Sequence, residues 1–455
     1  MDHGILAYWT HRLPVPTVGG MATCLASPET PHRQGSSGFR RINFALFCAG
    51  LATFGTLYAV QGLLPSLSTA FHLSPAAASL AVSVATGALA VGVLPLTALS
   101  ETLGRTPVMT VSLFASVGLS LVLPVSPNFT VLLVLRALQG LALAGIQAVA
   151  MSYLVEELHR DSFGFAMGLY VAGTGFGGMT GRLVAALVDD VAGWRWALAA
   201  VGAVALACTI VFYCTIVPSA GFQPRPPRVP ELAASIGRAL TDAGLLGMFA
   251  AGFLLFSCFV TVYNYLGFRL LGPGFDLSRT VVGLIFVVYA AGSVSSAFAG
   301  RLADRFGRPR VLWITALITL VGLLLLAMGS VAAVIIGLVI TTGGFFAAHS
   351  VASGWVSARS ATLGVQGSAI YVFCYYLGSS VGGTVGGLVF SAGGWSGVTY
   401  YGCAFLFTVL IIALLLRRQC RAARPARQVT MSSTLGTRDR CVQYGNDAVI
   451  HSWMN

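Results

Sequence analysis

Two arginines lie inside long apolar stretches of the sequence, where a charged side chain is costly and normally faces a cavity or a polar partner. Arg136 stands about seven residues inside its stretch, roughly 10 Å deep if that stretch is a helix. It could instead extend its long side chain to the nearer surface. Arg182 has Asp189 and Asp190 close by in the sequence, so an ion pair is an equally good interpretation for it.

Acidic residues occur at the ends of the apolar stretches and not in their middle. Glu101 and Asp304 hold matching end positions, 203 residues apart. A carboxylate there can dock on the N-terminus of another helix, where the dipole and free N–H groups favour an anion. We expect Arg105 and Arg308 to complete a charge network that closes this side of the molecule. The candidate acidic partners in that network are Glu156, Glu157 and Asp161.

Polar residues inside the apolar stretches recur at the same offset of 203 residues. Such repeated polar positions suggest the walls of a central cavity, although hydrogen bonds between helices would also explain them. The candidate substrate contacts are the pairs Tyr58/Thr261, Gln61/Asn264 and Thr86/Tyr289, together with Gln139, Tyr375 and Tyr376. His349, the one histidine deep in an apolar stretch, is either a packing residue or a proton carrier. The other candidate proton carriers are Glu101, Asp189, Asp190 and Asp304.

The composition shows which elements must position these residues. Of the 455 residues, 56% are apolar and 9% are charged, against about 25% charged in an ordinary soluble domain. This excludes a soluble enzyme domain, a disordered protein and a disulfide scaffold. A membrane-spanning helix needs about 20 apolar residues, and twelve such runs occur. They are 42–68, 76–99, 107–124, 129–153, 163–187, 195–217, 244–271, 279–300, 310–328, 331–356, 362–390 and 396–416.

The polar segments divide the chain into two bundles of six helices. We predict a disordered tail over 1–40, bundles over 41–217 and 244–416, a linker over 218–243 and a second disordered tail over 417–455. Most of the 26 basic residues, all arginine, fall on the side of the tails and the linker. Cytoplasmic loops of membrane proteins collect such residues, so both termini are expected in the cytoplasm.

The two halves are internal repeats. Residues 100–105 (SETLGR) align with 303–308 (ADRFGR), and Gly140 aligns with Gly343 at the same offset. Because each half has six spans, both halves enter the membrane from the same side, as parallel repeats with a cavity between them. The glycine rows 173/177/181 and 378/382/386 let helices approach closely, and we expect them to form the moving interface between the halves.

On these motifs the chain resembles the major facilitator superfamily. Residues 300–308 (GRLADRFGR) are similar to the family's loop signature between spans 2 and 3 of a half, and the first-half copy is degraded at Thr97 and Thr102. Residues 136–140 (RALQG) resemble its span-4 motif, and 168–182 resemble span 5 of bacterial efflux permeases of the acriflavine-sensitivity and arabinose-efflux type. The resemblance implies a substrate or proton contact at Arg136. The gating residues would be Glu101, Gly104, Arg105, Gly300, Asp304, Arg305, Gly307 and Arg308.

These observations together favour an all-α inner-membrane transporter that exports a small neutral, amphipathic or anionic compound in exchange for protons. Organic cations usually need a buried carboxylate, which the predicted spans lack. Alternatives are proton-coupled uptake of a small anionic metabolite and a non-transporting sensor on the same fold. We expect the lipid bilayer, a small-molecule substrate and protons as partners, no nucleic acid, and a monomer. The sequence shows no catalytic, metal or cofactor motif, so neither an enzyme nor a cofactor is expected.

Overall fold

The computed structural model describes residues 32–219, 222, 224, 229–363 and 366–434. The predictions for residues 1–31 and 435–455 therefore lie outside the described residues. Within the described part the regular elements are helices, with one isolated bridge between His32 and Leu158.

The first half of the chain forms one bundle, which we call the N bundle. Its helices are α1 (Ser37–Gly62), α2 (Leu64–Ala70), α3 (Pro75–Leu103), α4 (Arg105–Val122), α5 (Phe129–Glu157), α6 (Arg160–Ala192) and α7 (Trp194–Thr215). The linker carries α8 (Val229–Thr241). The C bundle follows, with α9 (Ala243–Leu271), α10 (Arg279–Ile285), α11 (Tyr289–Phe306), α12 (Arg308–Leu326), α13 (Val331–Leu363) and α14 (Gly367–Thr434).

The helix lengths give twelve membrane crossings. In the described residues eleven helical stretches are long and apolar enough to span a membrane, and α10 and α11 together make one of them. The last stretch, Gly367–Cys420, has 54 residues, about 80 Å as one straight helix. Gly394 breaks it with φ 57° and ψ −146°, so α14 crosses twice. The prediction of an all-α membrane protein is confirmed.

Local sequence signals fix where these helices begin. Side chains of Ser36, Ser74, Asn128, Asp242 and Ser278 accept a hydrogen bond from the backbone N–H three residues on, which is the usual N-cap. Gly104 and Gly307, at matching repeat positions, have φ of 96° and 88°. Glycine adopts such angles without strain, so one residue joins α3 to α4 and α11 to α12.

Three segments predicted as tails or linker contain more structure than expected. Ahead of α1, the His32 N–H donates to the Glu157 carbonyl at 2.9 Å, and α1 begins at Ser37. The linker contains α8, and α14 continues past the apolar run to Thr434. The structure therefore differs from the predicted tails at 37–40 and 417–434, which are helical. An N-cap at Ser36 starts α1 early.

The predicted glycine rows serve packing within each bundle. A Cβ atom on Gly173, Gly177 or Gly181 would meet the α1 backbone, for example Phe47 Cα at 2.9 Å. The row 378/382/386 lies in the same way against α9 in the C bundle. These rows are not the moving interface, because both partners of each contact belong to the same half. Different glycines approach the other bundle, among them Gly175, whose Cβ would lie 2.6 Å from Ser293 Oγ.

The two bundles meet at one end. We call the end that holds α2, Ala192–Trp194 and Leu271–Arg279 the far end, and the other the Arg-rich end. Polar links between the bundles in the described part of the chain lie at the far end. They are Gln61–Asn264 at 2.6 Å, Asp190–Thr280 at 2.6 Å and Asp189–Arg279 at 3.6 Å. At the Arg-rich end Asp304 is exposed, and a Cβ on Gly300 would meet nothing within 4 Å.

Candidate functional site

Arg182 lies where the two bundles meet, near the far end of α6, and only 1% of it is exposed. Its Nε and Nη2 donate to Gln61 Oε1 at 2.8 and 2.5 Å, and Nη1 donates to the Gly178 carbonyl at 2.6 Å. A guanidinium has five N–H bonds. One N–H on each terminal nitrogen is therefore left without an acceptor among the described residues.

Aromatic rings from both bundles surround this guanidinium. Its Cζ lies 4.7 Å from the centre of the Tyr58 ring of the N bundle and 4.5 Å from the Tyr289 ring of the C bundle. Phe286 and Tyr263 lie farther away, at 5.4 and 6.0 Å. Aromatic faces stabilise a desolvated cation. These rings therefore let Arg182 remain charged and buried without a carboxylate partner.

No described carboxylate pairs with Arg182, so its interpretation as an ion-pair partner of Asp189 or Asp190 is wrong for this conformation. Asp189 instead accepts a hydrogen bond from Ser66 Oγ at 2.5 Å and faces Arg279. The physical reason is distance along the helix: Asp189 is nearly two turns beyond Arg182, at the membrane edge. The far end therefore has its own ion pair, and Arg182 keeps a net positive charge.

Several polar atoms around Arg182 have no partner. Among the described residues, the hydroxyls of Tyr58 and Tyr289 and the Nδ2 of Asn264 are buried without a hydrogen bond. The Asn264 oxygen, in contrast, accepts from Gln61 Nε2 of the other bundle. Buried polar groups in proteins are nearly always satisfied. A cluster of unsatisfied ones beside an unpaired cation is a place where a ligand can bind.

A continuous row of rings runs from Arg182 through the interior of the C bundle, and we call it the ring wall. It consists of Tyr289, Phe259, Phe345, Phe256, Tyr375 and His349. Phe259 stacks on Phe345 at 3.9 Å, and Phe256 stacks on Tyr375 at 3.7 Å. The His349 ring lies 4.4 Å from that of Tyr375. His349 and Tyr375 are half-buried, so the wall reaches open space on the side away from Arg182.

His349 lies at the end of the ring wall that is nearer to the Arg-rich end. Its Nδ1 is 3.0 Å from the Tyr371 hydroxyl. Its other ring neighbours in α13 and α14, Phe345 and Tyr375, are uncharged. A proton on this ring would therefore have no acidic partner in the described part of the chain. Its predicted role in proton transfer remains a prediction.

Arg136 is arranged quite differently. It is fully buried inside the N bundle, and its donors bind backbone carbonyls of α3 and α1: Ala81 at 2.8 Å, Thr56 at 3.2 Å and Leu57 at 2.6 Å. It also donates to Gln139 Oε1. The side chain neither extends to the surface nor faces the ring wall. Its hydrogen bonds link α1, α3 and α5 through one guanidinium.

Two further predicted contacts also bind within the N bundle. Gln139 donates to Ser120 Oγ and Thr86 donates to the Val82 carbonyl at 3.2 Å. The structure therefore brings together one subset of the predicted residues. That subset is Tyr58, Gln61, Arg182, Asn264, Tyr289, His349 and Tyr375.

The predicted gate is partly assembled at the Arg-rich end. Arg105 donates to Glu156 at 2.8 Å and to Ser100 Oγ at 2.5 Å, all within the N bundle. Glu101 and Asp304 have no recorded partner among the described residues, and Arg305 is exposed beside the half-buried Arg308. Docking of either carboxylate on the opposite bundle is therefore not seen among the described residues in this conformation. The gating roles of these residues remain predictions.

The phenylalanines of the ring wall were not among the residues predicted from the sequence. Phe256, Phe259 and Tyr263 follow the i, i+3, i+7 spacing of one helix face on α9. That signal was present, but in a protein this apolar it does not separate a wall facing the interior from a surface facing lipid. Their partner Phe345 comes from α13, and its proximity follows only from the packing.

Comparisons with known proteins agree on the family. The model of the Major Facilitator Superfamily matches residues 44–276 and 269–437. The chain is 41% identical over 383 residues to the uncharacterized MFS-type transporter YybF of Bacillus subtilis (strain 168), covering 84% of this chain and 94% of that protein. It is also 41% identical over 392 residues to the inner membrane transport protein YnfM of Escherichia coli (strain K12), covering 86% and 93%.

A solved structure shows the same fold. It is a crystal structure of a bacterial homolog to the human lysosomal transporter Spinster, in an inward-facing and occupied conformation. The TM-score is 0.69 at 15% identity, covering 85% of this chain and 98% of that one. At this identity the likeness shows the arrangement of helices and leaves the substrate open.

Proposed function

The chain belongs to the major facilitator superfamily and is a secondary transporter rather than an enzyme, and from that premise we propose that it exports a small compound in exchange for protons. The compound is neutral, amphipathic or anionic. Transport proceeds as the two bundles rock about a site between them, which opens to each side in turn. We further propose that the protein acts as a monomer.

The observation that carries the proposal is Arg182, a buried cation between the bundles without a carboxylate partner among the described residues. A net positive site repels organic cations and accepts neutral or negative ligands. The acids that are themselves buried in the described part of the chain, Glu157 and Asp189, lie at helix ends. Neither is placed to neutralise a cationic substrate beside the ring wall.

Alternating access is supported by the unequal contacts at the two ends. Hydrogen bonds and an ion pair join the bundles at the far end, whereas the described residues show no such link at the Arg-rich end. When the Arg-rich end closes, Glu101 and Asp304 would reach helix starts of the opposite bundle, where an anion is stabilised by about 0.3–2 kcal/mol. Contacts of this size can form and break during each cycle.

The arginine bias indicates which end faces the cell interior. Arginines crowd at one end of the bundles, and cytoplasmic loops carry such an excess. We therefore place the Arg-rich end and both termini in the cytoplasm of an inner-membrane protein. In that orientation the conformation described is open to the cytoplasm, where an exported compound would enter.

Proton coupling is proposed to use His349 and Asp189. His349 borders the ring wall, and Asp189 faces Arg279 across the two bundles at the far end. A proton on Asp189 would remove the attraction that holds Arg279 at that interface. Proton-coupled uptake of a small anion is the second candidate, favoured by the two N–H bonds of Arg182 that have no acceptor among the described residues.

Flux into proteoliposomes with an imposed pH gradient tests the proposal. Cationic, neutral and anionic compounds are screened with the parent protein, with Arg182→Gln and with the exposed control Arg195→Gln. We expect gradient-driven flux of an uncharged or anionic compound, lost in Arg182→Gln and kept in Arg195→Gln. Flux that ignores the gradient contradicts proton coupling. A permanent cation as the best substrate contradicts the charge argument.

A further inference from the structure

The free donors of Arg182 have a definite geometry. One N–H remains on Nη1 and one on Nη2, because each nitrogen uses a single donor on Gly178 or Gln61. A carboxylate can accept from two donors of one guanidinium through its two oxygens. A neutral amide has one oxygen and no charge, so it should bind these two N–H donors more weakly than a carboxylate.

The surroundings add a second, independent indication. The Tyr58 and Tyr289 hydroxyls and the Asn264 Nδ2 are buried and unpartnered among the described residues, and all three can donate to an oxygen. Arg182 is held by an amide oxygen and a backbone carbonyl rather than by an acid. The site therefore has donors to spare and a positive charge that is not neutralised.

The ring wall then determines what can lie beside the acid group. It starts at Tyr289, which covers Arg182 at 4.5 Å, and it ends at the half-buried pair Tyr375 and His349. Aromatic surfaces bind planar rings by offset stacking and by edge contacts, with about 0.5–1.5 kcal/mol beyond area burial for a pair. Phe256, Phe259 and Phe345 are buried and stack on one another, so the ring surface that a ligand can reach is that of Tyr375 and His349. A flat aromatic body packs against that pair better than a flexible chain.

We propose that the transported compound is an aromatic carboxylate, whose acid group binds the two free N–H bonds of Arg182 and whose ring packs against Tyr375 and His349 at the half-buried end of the ring wall. This inference rests on the proposed function and narrows its substrate class. In the conformation described, Tyr289 covers the guanidinium. That ring belongs to the other bundle, so the acid group would bind beside a contact that joins the two bundles.

Binding to the purified full-length protein in detergent tests the inference without interference from passive leakage of weak acids. Four probes share one framework: 2-naphthoate, 2-naphthamide, 2-naphthylmethylammonium and decahydro-2-naphthoate. We expect 2-naphthoate to bind at least tenfold more tightly than the amide and the ammonium compound. Arg182→Gln should remove the difference between acid and amide. Tyr375→Leu should reduce the difference between the aromatic and saturated acids, and Arg195→Gln should change neither.

Each result decides between clear alternatives. Equal binding of acid and amide, or no binding of 2-naphthoate at all, overturns the inference. So does a preference for 2-naphthoate that survives in Arg182→Gln. Gradient-driven flux of a neutral compound without any preference for aromatic acids overturns this inference and leaves the proposed function standing. Tight 2-naphthoate binding together with flux that does not depend on the pH gradient supports the proposed substrate class and contradicts proton coupling.

Discussion

Arg136 and Arg182 are two buried arginines in the same bundle, and they differ in what their donors bind. Arg136 binds carbonyls of Ala81, Thr56 and Leu57 and the side chain of Gln139, all within the N bundle. Arg182 binds Gln61 and Gly178 and lies against rings of the other bundle, and two of its donors have no acceptor in the described part of the chain. Sequence position alone treats the two as the same kind of residue.

Both arginines are buried, so burial does not distinguish a structural arginine from one that can bind a ligand. What distinguishes them is whether their N–H donors are already hydrogen-bonded to the protein. A guanidinium with its donors bound to its own bundle stabilises that bundle in every conformation. One with free donors at an interface between bundles changes its surroundings when the bundles move. The donors of Arg136 are bound within its own bundle, and we therefore propose Arg182 rather than Arg136 as the anion contact.

The largest effect is expected on stability, from Arg136→Ala. The substitution removes four hydrogen bonds that join α1, α3 and α5 and leaves a cavity, so we expect a loss of about 3–5 kcal/mol in the free energy of unfolding. Thermal unfolding of the purified protein measures it, with the exposed Arg195→Ala as control. A variant as stable as the parent but unable to transport would break the comparison, because Arg136 would then be functional.

Arg182→Gln should show the opposite pattern. Transport should fall about 30- to 150-fold, because a charged hydrogen bond to a ligand contributes about 2–3 kcal/mol. The unfolding temperature should change much less than in Arg136→Ala. Initial flux rates and thermal unfolding of the same preparations measure both quantities. Loss of folding in parallel with loss of flux would make Arg182 a second structural arginine.

Asn264→Leu sharpens the comparison by loosening the far end beside Arg182. It removes the bond from Gln61, whose net contribution is about 1 kcal/mol, so the population open at the far end should rise about fivefold. Thr69 and Pro273 are exposed on different bundles at the far end. Spin labels on cysteines introduced at these two positions report the distance between the bundles by pulsed electron paramagnetic resonance. Ser295→Ala, which breaks a bond inside the C bundle, should leave that distance distribution unchanged.

The smallest effect is expected at Arg359, which, unlike Arg182, forms an ion pair with a carboxylate. It donates to Asp242 at 2.6 and 2.8 Å, and this bond lowers the pKa of Asp242, which also caps α9. Because the folded pKa is the lower one, the stabilisation is present above the unfolded pKa of about 3.9 and is lost as pH falls through the folded pKa.

The pair is partly exposed, so we expect Asp242→Asn to cost less than about 1 kcal/mol at pH 7. The cost should shrink towards acidic pH, since the parent loses the same interaction there. Thermal unfolding at several pH values between neutrality and pH 3 follows it. A cost that stays constant with pH would assign the effect to the helix cap alone, for which Ser278→Ala at the start of α10 is the matched comparison.

Much of the fold was predictable because it depends on periodic and local signals. Apolar run lengths predict the spans, and the aligned glycines Gly104 and Gly307 predict two equivalent turns. The interior of the site was not predictable to the same degree. Whether Arg136 reaches the carbonyls of Ala81 and Leu57 depends on how three helices cross, and helix crossing leaves no mark on residue type.

The glycine rows also predicted close packing but not its partner. Gly177 lies against Leu51 of its own bundle, whereas Gly175, two residues earlier, faces Ser293 of the other. Both glycines belong to one run of small residues, and rotation about the helix axis separates their roles. A single sequence records the spacing of small residues and does not record the rotation of the helix within the bundle.

The tight seam between α1 and α6 has a mechanical consequence. Glycines of α6 pack closely against the α1 backbone at three successive turns, so these two helices cannot slide past each other. We therefore expect each half of the protein to move as a rigid body. A covalent tether placed across that seam should leave turnover untouched. The same tether between α6 and α11 should stop transport, since the movement takes place at the interface between the two bundles.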